Sequence, residues 1–127
     1  MKLRTTHNSI RLRLRRSEVL TLEKEHILTE KVDFPNGSSL SYTLSHEVGE
    51  TEINVSFQEN DIRVMLPTNM AHEWTQSQEV GIATSLSLPS GETLSLLIEK
   101  DFPCKGRVED KADTFWELAT PDEAENC

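Results

Sequence analysis

Asn8-Ser9-Ile10-Arg11-Leu12-Arg13-Leu14-Arg15 decides how the rest of the chain is read. A period of two puts Ile10, Leu12 and Leu14 on one face of a strand and Arg11, Arg13 and Arg15 on the other. The cations stand out because the remainder is acidic. Residues 1–16 hold six Lys/Arg and no Asp/Glu, while residues 17–127 hold seven Lys/Arg against twenty-two Asp/Glu, so +6 and −15 compose the net −9.

Outward from this ladder the alternation continues. One extended segment is expected from about Leu3 through Leu14, interrupted near His7-Asn8. Ser17 is the expected N-cap of a short helix, with Glu18 at its positive end and Val19, Leu20 and Leu22 on its apolar side. That helix should fade near His26. Leu28 to Phe34 returns to strand spacing and closes at Pro35-Asn36-Gly37, a hairpin signal. Leu40, Tyr42 and Leu44 alternate with Ser39, Ser41, Thr43 and Ser45. Ile53, Val55 and Phe57, then Ile62, Val64 and Leu66, mark two further strands, and the four together predict an antiparallel meander. Pro67-Thr68-Asn69 breaks the pattern ahead of a second helix over about residues 69–77, carried by Met70, Ala71 and Trp74. Val80, Ile82, Leu86 and Leu88 form a strand, Pro89 to Glu92 a turn, and Leu94, Leu96 and Ile98 the last strand. No internal repeat stands out.

The pattern predicts an α+β fold: a curved, mostly antiparallel sheet or partial barrel of about seven strands, with two short helices and an acidic C-terminal tail. Residues 1–100 read as the β-rich domain. Residues 101–127 read as a tail partly docked on it, where Ala112, Phe115, Trp116 and Ala119 have helical spacing. Phe34, Tyr42, Phe57 and Trp74 are the expected core volume. At 127 residues, 28% charged and 35% hydrophobic, the chain is one domain by size. No apolar run approaches membrane-spanning length, and Met1-Lys2-Leu3-Arg4 does not open a signal peptide. A cytoplasmic protein is the expectation. A net charge of −9 argues against nonspecific nucleic-acid affinity from the domain as a whole and confines any such contact to the first strand.

Two stretches carry a family resemblance. Asn8-Ser9-Ile10-Arg11-Leu12-Arg13-Leu14 followed by Ser17-Glu18-Val19 is similar to the opening of a family of small bacterial proteins of unknown function. Leu97-Ile98-Glu99-Lys100-Asp101-Phe102-Pro103-Cys104, with an acidic tail ending in cysteine, resembles the same family's end. The resemblance implies a bacterial origin and no activity.

Arg11, Arg13 and Arg15 are the first candidate binding residues. Guanidiniums at alternate strand positions stand about 6.5–7 Å apart, which suits an anionic polymer or an acidic peptide. The opposing structural reading pairs them with the chain's own carboxylates, Glu99 and Glu52 at outward positions and Asp33. Aromatic interleaving for base stacking is absent, and Lys31, Arg63 and Lys100 add too few cations for a triphosphate-lined barrel. Cys104, Cys127 and His72, with His46, are weak zinc candidates, because no Cys-x-x-Cys or paired-histidine spacing accompanies them. His7, His26, His46 and His72 are otherwise read as isolated surface or edge residues. A disulfide between Cys104 and Cys127 is the alternative to two free thiols. Asp101, Glu109, Asp110 and Asp113 supply acid-base groups but read first as solvated surface, and no nucleophile elbow, phosphate loop, zincin or dinucleotide fingerprint is present. Met70 and Trp74 read as core packing.

The reading that follows is a non-catalytic binding or interaction domain. Its outward positions are Ser39, Ser41, Thr43, Ser45, Ser56, Ser85, Ser87 and Ser95, beside one cationic strand. The expected partner is an acidic protein segment or a second copy, with no cofactor, no nucleic acid and no membrane. The alternative is a small metal-binding protein or enzyme whose site forms where the tail meets the sheet.

Overall fold

The computed structural model describes residues 1–102, 113 and 115–118. Among these residues the alternation becomes eight strands: β1 (Lys2–Thr6), β2 (Ser9–Leu14), β3 (Ile27–Asp33), β4 (Ser39–Glu47), β5 (Asn54–Gln58), β6 (Asp61–Pro67), β7 (Gly81–Ser87) and β8 (Thr93–Lys100). Helix α1 (Arg16–Glu25) follows β2, and helix α2 (Thr68–Thr75) follows β6. The strands form two sheets, in the orders β1-β2-β8-β7 and β3-β4-β6-β5, here sheet A and sheet B. Each sheet consists of two antiparallel hairpins whose inner strands, β2 with β8 and β4 with β6, run parallel.

The α+β class stands, but the single curved sheet, the partial barrel of about seven strands and the antiparallel meander are corrected to two mixed sheets with no closed barrel. Two physical causes account for this. The expected extended segment from Leu3 to Leu14 folds back at His7-Asn8, where Asn8 adopts φ 49° in the left-handed region that asparagine tolerates. That turn converts one strand into a hairpin. Each helix then carries the chain from one sheet to the other, so the strands before and after it never pair.

The two halves of the chain repeat the same ββαββ path. The first runs from β1 to β4 through α1, the second from β5 to β8 through α2. Exchanging the halves exchanges the sheets and preserves every pairing: Leu12 beside Ile98 becomes Val64 beside Leu44, and Ser9 beside Ser95 becomes Asp61 beside Ser41. Smaller features repeat as well. Asn60, the counterpart of Asn8, has φ 61°. Ser95 N–H donates to Asn8 O at 2.9 Å, and Ser41 N–H to Asn60 O at the same distance. The Phe34–Ser38 and Leu88–Glu92 turns share their two backbone hydrogen bonds. Identical residues mark the repeat, Asn8, Ile10, Arg11 and Leu14 matching Asn60, Ile62, Arg63 and Leu66, and Pro35, Gly37, Leu40 and Ser41 matching Pro89, Gly91, Leu94 and Ser95. Sequence reading missed it because these matches are scattered among positions that preserve only hydropathy.

Helices and inward strand faces close around one core. Ile10, Leu12 and Leu14 do face inward: Leu12 and Leu14 are buried with Leu22, Leu44, Val64, Leu66, Trp74, Leu96 and Ile98, while Ile10 packs against them. Each fully buried aliphatic contributes roughly 1.5–3 kcal/mol relative to exposure. Tyr42 packs at the margin of this cluster. Phe34 and Phe57 do not belong to the core, being 46% and 64% exposed at the hairpin ends of edge strands. Ser17 lies inside α1, and Arg15 is its N-cap. The Arg15 N–H donates to the Glu18 carboxylate at 2.9 Å, the reciprocal half of a capping box. Trp116–Leu118 forms a single 3₁₀ turn with Leu118 exposed. Ala112 and Ala119 of the expected tail helix lie outside the described residues.

Candidate functional site

The outer face of sheet A gathers Arg11 and Arg13 of the three cations the sequence singled out and adds two that the sequence reading did not weigh. Since Leu12, Leu14, Leu96 and Ile98 point into the core, the alternate residues point away from it. The register sets them in rows. Lys2, Arg13, Glu99 and Gly81 lie abreast, then Arg4, Arg11, Leu97 and Ala83, then Thr6, Ser9, Ser95 and Ser85. Lys2, Arg4, Arg11 and Arg13 therefore make a two-by-two block of cations on adjacent strands. Cations directly opposite across a strand pair repel one another.

Glu99 partly neutralises that block. It is 5% exposed. Its Oε1 accepts from Arg11 Nε at 2.6 Å, and Arg13 Nε lies 3.2 Å from the same atom. Asp101 stands 3.5 Å from Arg13 Nε, and the Phe102 ring lies under the Arg13 guanidinium, 5.4 Å from carbon to centroid. Of the expected carboxylate partners only Glu99 pairs here. Asp33 pairs with Lys31 at 3.2 Å, and Glu52 is exposed outside any strand. Among the described residues no carboxylate comes within ion-pairing distance of Lys2 or Arg4, and both are exposed.

Arg15 does not extend the ladder. The chain has turned into α1, so the Arg15 side chain is 71% exposed beside Glu18, with Nε 3.4 Å from Oε1. Burial pushes the Glu18 carboxyl up. Hydrogen bonds from the Met1 ammonium, the Arg15 N–H and the Arg15 side chain outweigh that and hold it below the usual carboxylate range.

Next to the cations lies an open groove of about 350 Å³, floored by Leu97 and edged by Ser9, Ser95, Ala83 and Ser85. Its walls are low because these side chains are small. Gly81, two residues before Ala83 on β7, is tightly packed: a Cβ there would come 2.9 Å from Ile98 O and 3.3 Å from the Glu99 Cβ. The signal for the whole surface was available at His7-Asn8, since a tight turn there brings Lys2 opposite Arg13 and Arg4 opposite Arg11.

The opposite sheet has no comparable excess. Arg63 lies 3.2 Å from Asp61, which also accepts from the Ser41 and Thr43 hydroxyls at 2.7 and 3.0 Å. Burial raises the Asp61 carboxyl, but these hydrogen bonds and Arg63 bring it below its ordinary value.

A second cluster joins His26, His46 and His72, which three different elements bring together with ring centroids 4.5 and 5.7 Å apart. His46 is buried, and both its nitrogens are used. Nε2 faces Leu22 O at 3.2 Å and must donate to that carbonyl, so Nδ1 accepts from the Thr68 hydroxyl at 3.0 Å. Its counterpart in the second half is Lys100, whose ammonium donates to Trp74 O and Ser77 O at 2.7 Å each. Trp74 is the counterpart of Leu22. In both halves, then, the end of the last strand caps the last turn of the preceding helix. His72 Nδ1 lies 3.7 Å from Glu23 Oε1, which accepts from Gln76 Nε2 at 2.7 Å. Among the described residues no three His, Cys, Asp or Glu side chains are grouped so as to hold a metal ion. Cys104 and Cys127, and with them the zinc and disulfide readings, lie outside the described residues. No helix among the described residues is long and apolar enough to cross a membrane.

Comparison with known proteins adds a family and no activity. Residues 1–118 match a family described as "Family of unknown function (DUF7009)". No curated protein and no solved structure matches the chain.

Proposed function

The chain belongs to that family of unknown function, and we propose, on geometry, that it is a non-catalytic interaction module docking an acidic, extended polypeptide segment on the outer face of sheet A. One observation carries the proposal. Lys2 and Arg4 are exposed and directly opposite Arg13 and Arg11, an arrangement that costs stability until an anion enters between them. Arg11 and Arg13 are anchored by Glu99, so they present fixed guanidiniums, whereas Lys2 and Arg4 are exposed with no carboxylate within ion-pairing distance among the described residues. The adjoining Ser9, Ser95, Ala83 and Ser85 let a peptide backbone approach closely, and Leu97 gives it an apolar floor. Carboxylates suit this surface better than bases do, since its strand rows carry no aromatic side chain and the one ring beside them, Phe102, already packs on Arg13. Arg15 lies off the face and contributes only long-range charge.

A fluorescent glutamate-rich peptide tests this at low salt. The Lys2→Gln/Arg4→Gln variant should bind about tenfold more weakly, the loss of roughly 1.4 kcal/mol from two exposed ion pairs, with an unchanged circular dichroism spectrum. Equal binding by variant and parent, or no binding by either, refutes the proposal. Tighter binding of single-stranded DNA than of the peptide reassigns the face to nucleic acid.

A further inference from the structure

Sheet A ends on β7, and among the described residues no strand pairs with that edge. Gly81-Ile82-Ala83-Thr84-Ser85-Leu86-Ser87 is seven residues of paired strand without a charge or a proline. Proteins ordinarily blunt such edges with charged side chains, proline, bulges or brevity. The internal repeat supplies a control, because β3 is the counterpart of β7 at the edge of sheet B. There Glu30, Lys31 and Asp33 occupy the strand, and Lys31 and Asp33 form an ion pair. The β1 edge carries Lys2 and Arg4, and β5 is only five residues long. Among the described residues, one fold has thus defended three edges and left the fourth bare.

We propose that two copies of this chain pair antiparallel through β7, about a two-fold axis at Thr84, into one continuous eight-stranded sheet. The sequence is complementary to itself in that register. Ala83 meets Ser85 of the other copy, Ile82 meets Leu86, and Gly81 meets Ser87, with no like charges opposed. The same operation applied to β1 sets Arg4 against Arg4, and applied to β3 sets Glu30 against Glu30. An axis normal to the sheet keeps both outer faces on one side. The shallow grooves of Ala83, Ser85, Ser95 and Leu97 then merge into one valley, flanked by two cationic blocks about 24 Å apart at five strand spacings. Paired strands alone supply less than the roughly 1,200 Å² of a standing interface, so the association is reversible and follows concentration. The proposal rests on the edge and not on the docking of an acidic segment.

Sedimentation of the full chain from micromolar to millimolar concentration is the test. The parent should pass from monomer to dimer. Ala83→Lys/Ser85→Lys and Ala83→Glu/Ser85→Glu alter exposed side chains and set like charges opposite one another only in the dimer, so each alone should remain monomeric. Their equimolar mixture should restore the dimer, because lysines then face glutamates. A Ser56→Lys change on β5 should leave dimerisation intact. A parent that stays monomeric throughout hands the edge to a strand from another protein and overturns the proposal. Dimerisation undisturbed by either double variant, or abolished by Ser56→Lys alone, overturns it as well.

Discussion

Arg11 and Arg13 converge on one oxygen of a buried carboxylate, so two of the cations that mark this sequence are first of all structural. Removing Arg11 leaves Glu99 with Arg13 but strips it of its shortest contact at 5% exposure. Arg11→Ala should therefore cost on the order of 1–3 kcal/mol, the penalty for an under-satisfied buried group. Arg4→Ala, on an exposed side chain one strand away, should stay within about 0.5 kcal/mol of the parent. Urea denaturation of the two variants compares them directly, and equal losses would mean that Glu99 is not held as described. The distinction matters for function, because the cations available to a ligand without disturbing the fold are Lys2 and Arg4. Parity alone gave Arg11, Arg13 and Arg15 equal weight. Burial of Glu99 separates the first two from the third, and burial is a property no single strand has.

Among the elements, the helix ends show how His46 is used. Burial is the main cause that pushes the His46 ring below its ordinary 6.5, and the neighbouring His26 and His72 rings add to it, while Leu22 O and Glu23 oppose it. The unfolded chain accordingly binds this proton more readily than the folded one. Stability should be complete above 6.5 and fall as pH descends from there through the lower folded value. Glu18, Glu23, Asp33 and Asp61 are held below their ordinary 4.5 or 3.8. Their contribution is present at neutral pH and is lost only in more acid solution, as pH falls through those lowered values. Urea midpoints between about pH 7 and 5 thus report on imidazole. His46→Gln keeps a donor for Leu22 O and should flatten that dependence. An unflattened profile would refute this role for His46. Sequence spacing made four histidines look isolated, because the three that meet come from different elements.

Over the whole molecule, each sheet is built from both halves of the chain: β1 and β2 need β8 and β7, and β3 and β4 need β6 and β5. Neither half completes a sheet alone, which predicts a single cooperative unfolding transition. In a Trp116→Phe background the fluorescence of Trp74, buried between α2 and the core, should report the same midpoint as far-ultraviolet circular dichroism. Separated midpoints would mean that the repeat units unfold independently.

Resemblance at Asn8–Val19 and Leu97–Cys104 pointed to the family, while side-chain order alone set most of the strands through their two-residue rhythm, both helices through capping and helical spacing, and the inward set Ile10, Leu12 and Leu14. Those are local properties, fixed by side-chain periodicity and turn chemistry. Only the tertiary structure decided that the strands divide into two mixed sheets, that Lys2 and Arg4 complete the cationic block, and that β7 is an edge left unpaired among the described residues. The reason is that pairing partners are chosen by burial across long sequence separations. Parity assigns each residue a face but says nothing of which strand lies beside it.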